Sequence, residues 1–240
     1  IFQLARILSI AWPADDLAFP GIGQRDPVVE ALQARYPGVR LIGAGSVFEA
    51  AVRTVLGVGL SGRVAGVLWR RIAQELGPTA PVEGGWLAAF PVPVQLLDPE
   101  ALAGIRGVNG VRGLIQWKRR RIAELARVAV EGELEGAMLR AWDGRLAVEH
   151  VARVAGLAQS TAELVVVSGG HHPDVLLSGA PQVVGYLERA YRLEPGDAEG
   201  MAAIAQVWAP YRSWVSALML CAAQDAGEPD HHPAGDDHPE

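Results

Sequence analysis

Residues Val151–Pro181 read V-A-R-V-A-G-L-A-Q-S-T-A-E-L-V-V-V-S-G-G-H-H-P-D-V-L-L-S-G-A-P, and this stretch decides the fold. It contains the end of a helix expected over Leu146–Val154, a corner at Gly156, and a second helix over Thr161–Ser168. Glycine at the corner permits the positive φ that an abrupt change of direction needs. After Pro173-Asp174 the chain reaches Ala180-Pro181, where proline at a first helical turn opens a helix running to Tyr191. Taken alone, the corner is an ordinary helix-turn-helix. Its surroundings say more.

Outward from this stretch, helical periodicity dominates. Asp26-Pro27 is a helix start, with the acid as cap and proline in the first turn, and Pro37-Gly38 ends that helix. Val47–Leu56 and Ser61–Leu76 follow. In the second, Val64, Val67, Leu68, Ile72 and Leu76 recur at three- and four-residue steps and make one buried face. Ala80–Pro93 reads as a Pro- and Gly-rich loop, and Asp98–Ile105 as a short capped helix. Helices are expected over Leu114–Val130, Leu134–Ala141, Asp197–Val207 and Pro210–Ala223. The first 24 residues read differently, with a possible strand at Leu4–Ile10 and an irregular Trp12–Gly23. The expected organisation is a remnant of a β-containing domain or linker over 1–24, an all-α, two-lobed body over 25–227, and a disordered acidic tail over 228–240.

Composition narrows the function classes. Half of the 240 residues are hydrophobic and 20% are charged, which is globular. Cys221 is the single cysteine, so no internal disulfide forms and a reducing cytoplasm is expected. No apolar run reaches the roughly 18–20 residues that span a bilayer, and no membrane role is expected. The chain opens on Ile1 rather than Met, as a truncated start would, without a signal peptide. Of the net charge of −6, the tail contributes −5, which leaves residues 1–227 near −1. Near neutrality allows a local contact with nucleic acid but no general attraction to it.

The stretch 151–181 resembles the helix-hairpin-helix DNA glycosylases, in which an L-P-G-I-G-x-x-(S/T)-A turn precedes a P-D-x-F-P-x-x-(D/E) run ending in the catalytic acid. Gly156, Leu157, Thr161, Ala162, Pro173 and Asp174 fall where that pattern has them. The likeness extends over roughly Leu4–Ala222 and is similar in detail to the bacterial alkylated-base (3-methyladenine type) branch. S-V-F-E-A-A-V-R-T-V-L-G at Ser46–Gly57 and W-A-P-Y-R-S-W at Trp208–Trp214 match two further motifs in the same order. The resemblance implies an enzyme that extrudes an alkylated purine from double-stranded DNA and hydrolyses its N-glycosidic bond. It implies a monomer and no organic cofactor, and it allows a structural cation on the hairpin's backbone carbonyls.

The departures concentrate at the site. The family's acid position is Ala180, its F-P pair is Leu176-Leu177, and the hairpin's second glycine is Ala158. Val58 and Gly59 lie where a glutamine is usual, and Leu220 where an aromatic often closes the base pocket. A carboxylate stabilises the positive charge that develops on the sugar; alanine does not. Asp174, Asp143 and Glu163 are candidate substitutes, Asp174 the weak first choice. Expected DNA contacts are Gly156, Leu157, Ala158, Thr161 and Lys118, with Tyr211 and Leu220 on the base pocket. Trp208 and Trp214 are expected in the core. His171-His172 reads as a loop element, since neither it nor the tail histidines show zinc-site spacing. The alternative function is a non-catalytic damaged-DNA-binding relative or a pseudoenzyme.

Overall fold

The computed structural model describes residues 2–107 and 113–227. The tail expected at 228–240 lies outside them. In chain order the helices are α1 (Phe2–Ile7), α2 (Pro13–Ala18), α3 (Pro27–Arg35), α4 (Val47–Gly57) and α5 (Gly62–Leu76). After strands β1 (Thr79–Val82) and β2 (Gly85–Ala88) come α6 (Gln116–Val130), α7 (Gly136–Ala141), α8 (Gly144–Ala155) and α9 (Gln159–Gly170). The chain closes with α10 (Pro181–Tyr191), α11 (Ala198–Gln206) and α12 (Arg212–Asp225). The architecture is all-α, as the periodicity predicts.

The chain forms two compact units. One takes 2–47 and 136–227, the other the described residues of 48–135. The first unit is built on α8, α9, α10 and α12, whose Val151, Val165, Val183, Leu187 and Val215 are fully buried together with Trp208. Full burial of each such side chain contributes on the order of 1.5–3 kcal/mol. The second unit packs Leu56, Leu68, Ile72, Leu96, Ile122 and Leu125. An aromatic ladder flanks that core: Arg53 lies 4.9 Å over Trp69, which stacks on Phe90 at 5.8 Å.

Three expectations are corrected. Leu4–Ile10 is not a strand: residues 2–7 are helical, because Gln, Leu, Ala and Arg favour a helix. The apparent alternation in this segment places Leu4, Leu8 and Ile10 at the exposed surface, where it drives no sheet. Trp12–Gly23 is regular as well, forming α2 and a 3₁₀ turn over Phe19–Arg25. These residues belong to the first unit, through hydrogen bonds such as Gly43 N–H to Ile7 O at 2.9 Å. Finally, Ala80–Pro93 is not all loop. β1 and β2 pair antiparallel from Thr79↔Ala88 to Val82↔Gly85, around a Glu83-Gly84 turn.

Candidate nucleic-acid and base-release site

The hairpin is built from the bottom of α8 upward. Asp143 accepts hydrogen bonds from the N–H groups of Arg145 and Leu146 and so starts α8. The helix ends at Gly156 in the left-handed conformation, φ 54° and ψ 46°. Leu157 N–H returns to Ala152 O at 2.9 Å, and the chain bends by 110° into α9. Ala158, extended at φ −61° and ψ 151°, is the N-cap of α9 and provides no side-chain acceptor. Ala158 and Gln159 are exposed, Ser160 and Thr161 half-buried. The start of this 12-residue helix is thus exposed at Ala158 and Gln159 and has no side-chain cap, an arrangement suited to an anion. Thr161 does not start this helix. It is the third helical residue, because extended Ala158 already sets the first turn.

The segment from Pro173 to Ala180 is fastened on both sides. Toward α12, Ser213 N–H donates to Pro173 O at 2.9 Å, and Val175 N–H donates to Ser213 Oγ at 2.9 Å. Leu177 N–H reaches Ser216 Oγ at 3.3 Å. Toward α9, Glu163 Oε1 accepts from the Ser178 hydroxyl at 2.6 Å and Oε2 from Gly179 N–H at 3.1 Å. A Cβ on Gly179 would lie 2.0 Å from Ser160 Cβ, so only glycine lets the turn sit on the first turn of α9. Ala180 follows at φ −89° and ψ 111°, half-buried, as the uncapped start of α10.

The candidate acids separate clearly. Asp143 is engaged as the cap of α8. Asp174 pairs with Arg212, Oδ2 to Nη1 at 2.8 Å, and also accepts Arg212 N–H at 3.3 Å. It fastens the segment to α12 and is a structural pair. Glu163 is 7% exposed, and its burial raises the carboxyl above the usual range while the Ser178 and Gly179 donors oppose that rise. Glu163 is the one charged residue in 159–170, and that is the signal the sequence carries for it.

His171 and His172 are buried linkers. His171, left-handed at φ 54°, lies with Nε2 3.2 Å from Ala44 O and its ring 5.7 Å from Trp12. Burial lowers its pKa to about 4. His172 Nδ1 accepts Asp174 N–H at 3.0 Å, which leaves Nε2 to donate to Trp142 O at 3.1 Å. Burial lowers its pKa too. Arg140 donates to His171 O and to Asp15, with its guanidinium 3.8 Å from the Trp12 ring centre. Among the described residues no group of three His, Cys, Asp or Glu could hold a metal ion.

Lys118 is corrected. It is 4% exposed, and Nζ donates to Leu56 O at 2.8 Å and Val58 O at 2.7 Å. It closes the carbonyl end of α4 instead of facing a phosphate, and burial lowers its pKa to about 8. Tyr211 is buried against Phe19 and Trp214, with its hydroxyl 3.4 Å from Asp15 Oδ1. Leu220 is half-buried on α12. Trp208 is core, as expected, and its Nε1 donates to Asp26 at 2.8 Å.

No protein-family model matches the chain. Over 201 residues, 83% of its length, it is 28% identical to DNA-3-methyladenine glycosylase 2 of Escherichia coli K12, and it spans 65% of that protein. The 3-methyladenine DNA glycosylase of Archaeoglobus fulgidus superposes with a TM-score of 0.71 at 23% identity, covering 92% of this chain and 73% of its own. The Schizosaccharomyces pombe 3-methyladenine DNA glycosylase, solved with abasic DNA, superposes with a TM-score of 0.58 at 14% identity, over 90% and 98%. The fold is that of the helix-hairpin-helix DNA glycosylases. Within that class the chain resembles the 3-methyladenine glycosylases.

Proposed function

We propose that this protein binds double-stranded DNA through the hairpin at 154–161 and releases alkylated purines from it by N-glycosidic hydrolysis. The observation that carries the reading is the exposed, uncapped start of α9, packed directly against the fastened 173–180 segment. A DNA phosphate at the hairpin would bring its neighbouring sugar toward that segment. The names of the similar proteins support the choice of alkylated purines. Alkylation at a ring nitrogen makes the base cationic. When the C1′–N bond breaks, its electron pair neutralises the leaving base, water oxygen bonds to C1′, and one proton passes to solvent. The protein acts as a cytoplasmic monomer in this reading.

Incubation with methylated duplex DNA should release free methylpurine, and release no greater than that of heat-inactivated protein would reject the enzyme. The second reading, a damaged-DNA binder without catalysis, is favoured by Ala180 at the acid position. It predicts salt-sensitive duplex binding without base release. Gln159→Glu separates DNA binding from folding: an acid in the first turn stabilises α9 but repels phosphate. Affinity for duplex at low salt should drop severalfold, and unchanged affinity would remove the hairpin from the interface.

A further inference from the structure

We infer that Glu163 supplies the carboxylate that position 180 lacks, so that the acid of the site stands on the second turn of α9 instead of at the start of α10. This rests on the base-release reading above. Among the described residues the buried acids are Asp26 and Glu163. Asp26 is fully engaged elsewhere, capping α3 and accepting from Tyr191 and Trp208. Only Glu163 places its carboxylate on the turn that leads into Ala180. Ser178, Gly179 and Ala180 are small, and Gly179 seats the turn on Ser160, three residues before Glu163 and on the same face of α9. A longer acid on α9 therefore reaches ground that a shorter acid at 180 would otherwise hold.

The electrostatics fit a functional acid better than a structural one. Glu163 has no ion pair among the described residues; two neutral donors, Ser178 and Gly179, hold it. A buried carboxylate without a cation costs stability, and a neutral isostere would avoid that cost. Such an arrangement is characteristic of groups retained for chemistry. Ionised, Glu163 would stabilise the positive charge on the sugar as the C1′–N bond opens and the electron pair leaves with the base. Burial raises its pKa, so base release should fall with decreasing pH through a value above the usual 4.5.

The test is Glu163→Gln, measured for methylpurine release, binding to abasic-site duplex and thermal stability. Release should fall about 10²–10³-fold, as for loss of one preorganised electrostatic partner. Duplex affinity should change less than threefold, and the melting temperature should be equal or higher. A purely structural glutamate would instead lower the melting temperature and leave the pH profile unmoved. Adding Ala180→Asp to Glu163→Gln should restore release by at least tenfold, because the acid returns to the same site from the other helix. If wild-type protein releases methylpurine and Glu163→Gln stays within threefold of it, the assignment is overturned while the base-release reading stands. If wild-type protein releases nothing, the enzyme reading fails and the assignment fails with it.

Discussion

Two helix starts in the first unit have nearly the same sequence logic and opposite chemistry. Asp26-Pro27 opens α3 and Ala180-Pro181 opens α10, each with an extended N-cap residue and proline in the first turn. At Asp26, Oδ1 accepts Val28 and Val29 N–H, and Oδ2 accepts the Tyr191 hydroxyl at 2.6 Å and Trp208 Nε1 at 2.8 Å. One carboxylate thus ties α3 to the end of α10 and to Trp208, two residues after α11. At Ala180 the side chain offers no cap, and the carboxylate of Glu163 holds the preceding turn. The same local signal serves cohesion at one start. At the other, alanine supplies no side-chain acceptor, and a carboxylate from α9 binds the turn before it.

Asp26→Ala should break the first half of this comparison and give the largest effect. A lost cap costs about 1 kcal/mol. The buried Trp208 N–H left without an acceptor costs about 1–3 kcal/mol, and the half-buried Tyr191 hydroxyl up to about 1 kcal/mol. A total of roughly 2–5 kcal/mol, read from urea unfolding with an unchanged m-value, is expected. A loss below 1 kcal/mol would show that Asp26 is only a cap.

His171 extends the comparison from acids satisfied by hydrogen bonds to a base whose charged form is excluded. Its folded pKa of about 4 lies below the ordinary 6.5, so the unfolded chain takes up the proton first as pH falls. Stability is therefore intact above pH 6.5 and lost between 6.5 and 4, by about 3 kcal/mol in all. His172 shifts in the same direction and adds to the loss. His171→Asn tolerates the left-handed backbone and should flatten much of this slope in denaturant titrations across that range. An unchanged slope would place the acid sensitivity elsewhere.

The smallest effect sharpens the second half. Giving α10 the cap it lacks should stabilise the protein by about 0.5–1 kcal/mol in Ala180→Asn. Ala180→Asp should gain less, because a second carboxylate would approach Glu163. Equal gains by thermal unfolding at neutral pH would show that Glu163 is not ionised there.

Much of this molecule was legible in its sequence. Asp26 and Asp98 each accept a backbone N–H at the helix start expected of them, because capping depends on the few residues around it, whereas Asp143, a candidate acid by sequence, is the cap of α8. The hairpin corner was legible for the same reason: Gly156 meets a local demand on φ. The N-terminal helices and the β1–β2 pair depart from the sequence reading although they are largely exposed: α1 follows the helix propensity of its residues, and the two strands pair across the Glu83-Gly84 turn. Lys118, expected on a DNA phosphate from the resemblance, instead has its ammonium buried on the carbonyls of Leu56 and Val58, far away in the sequence, which no local pattern shows.

By itself, then, the sequence determined most helices from α3 onward, the caps at Asp26 and Asp98 and the corner at Gly156, all properties of residues close together in the chain. Only the tertiary structure decided which acid serves which partner. It gave Asp174 to Arg212, Asp26 to Tyr191 and Trp208, and Glu163 to Ser178 and Gly179. A carboxylate's role depends on what its two oxygens meet, and those partners come together only when the helices pack.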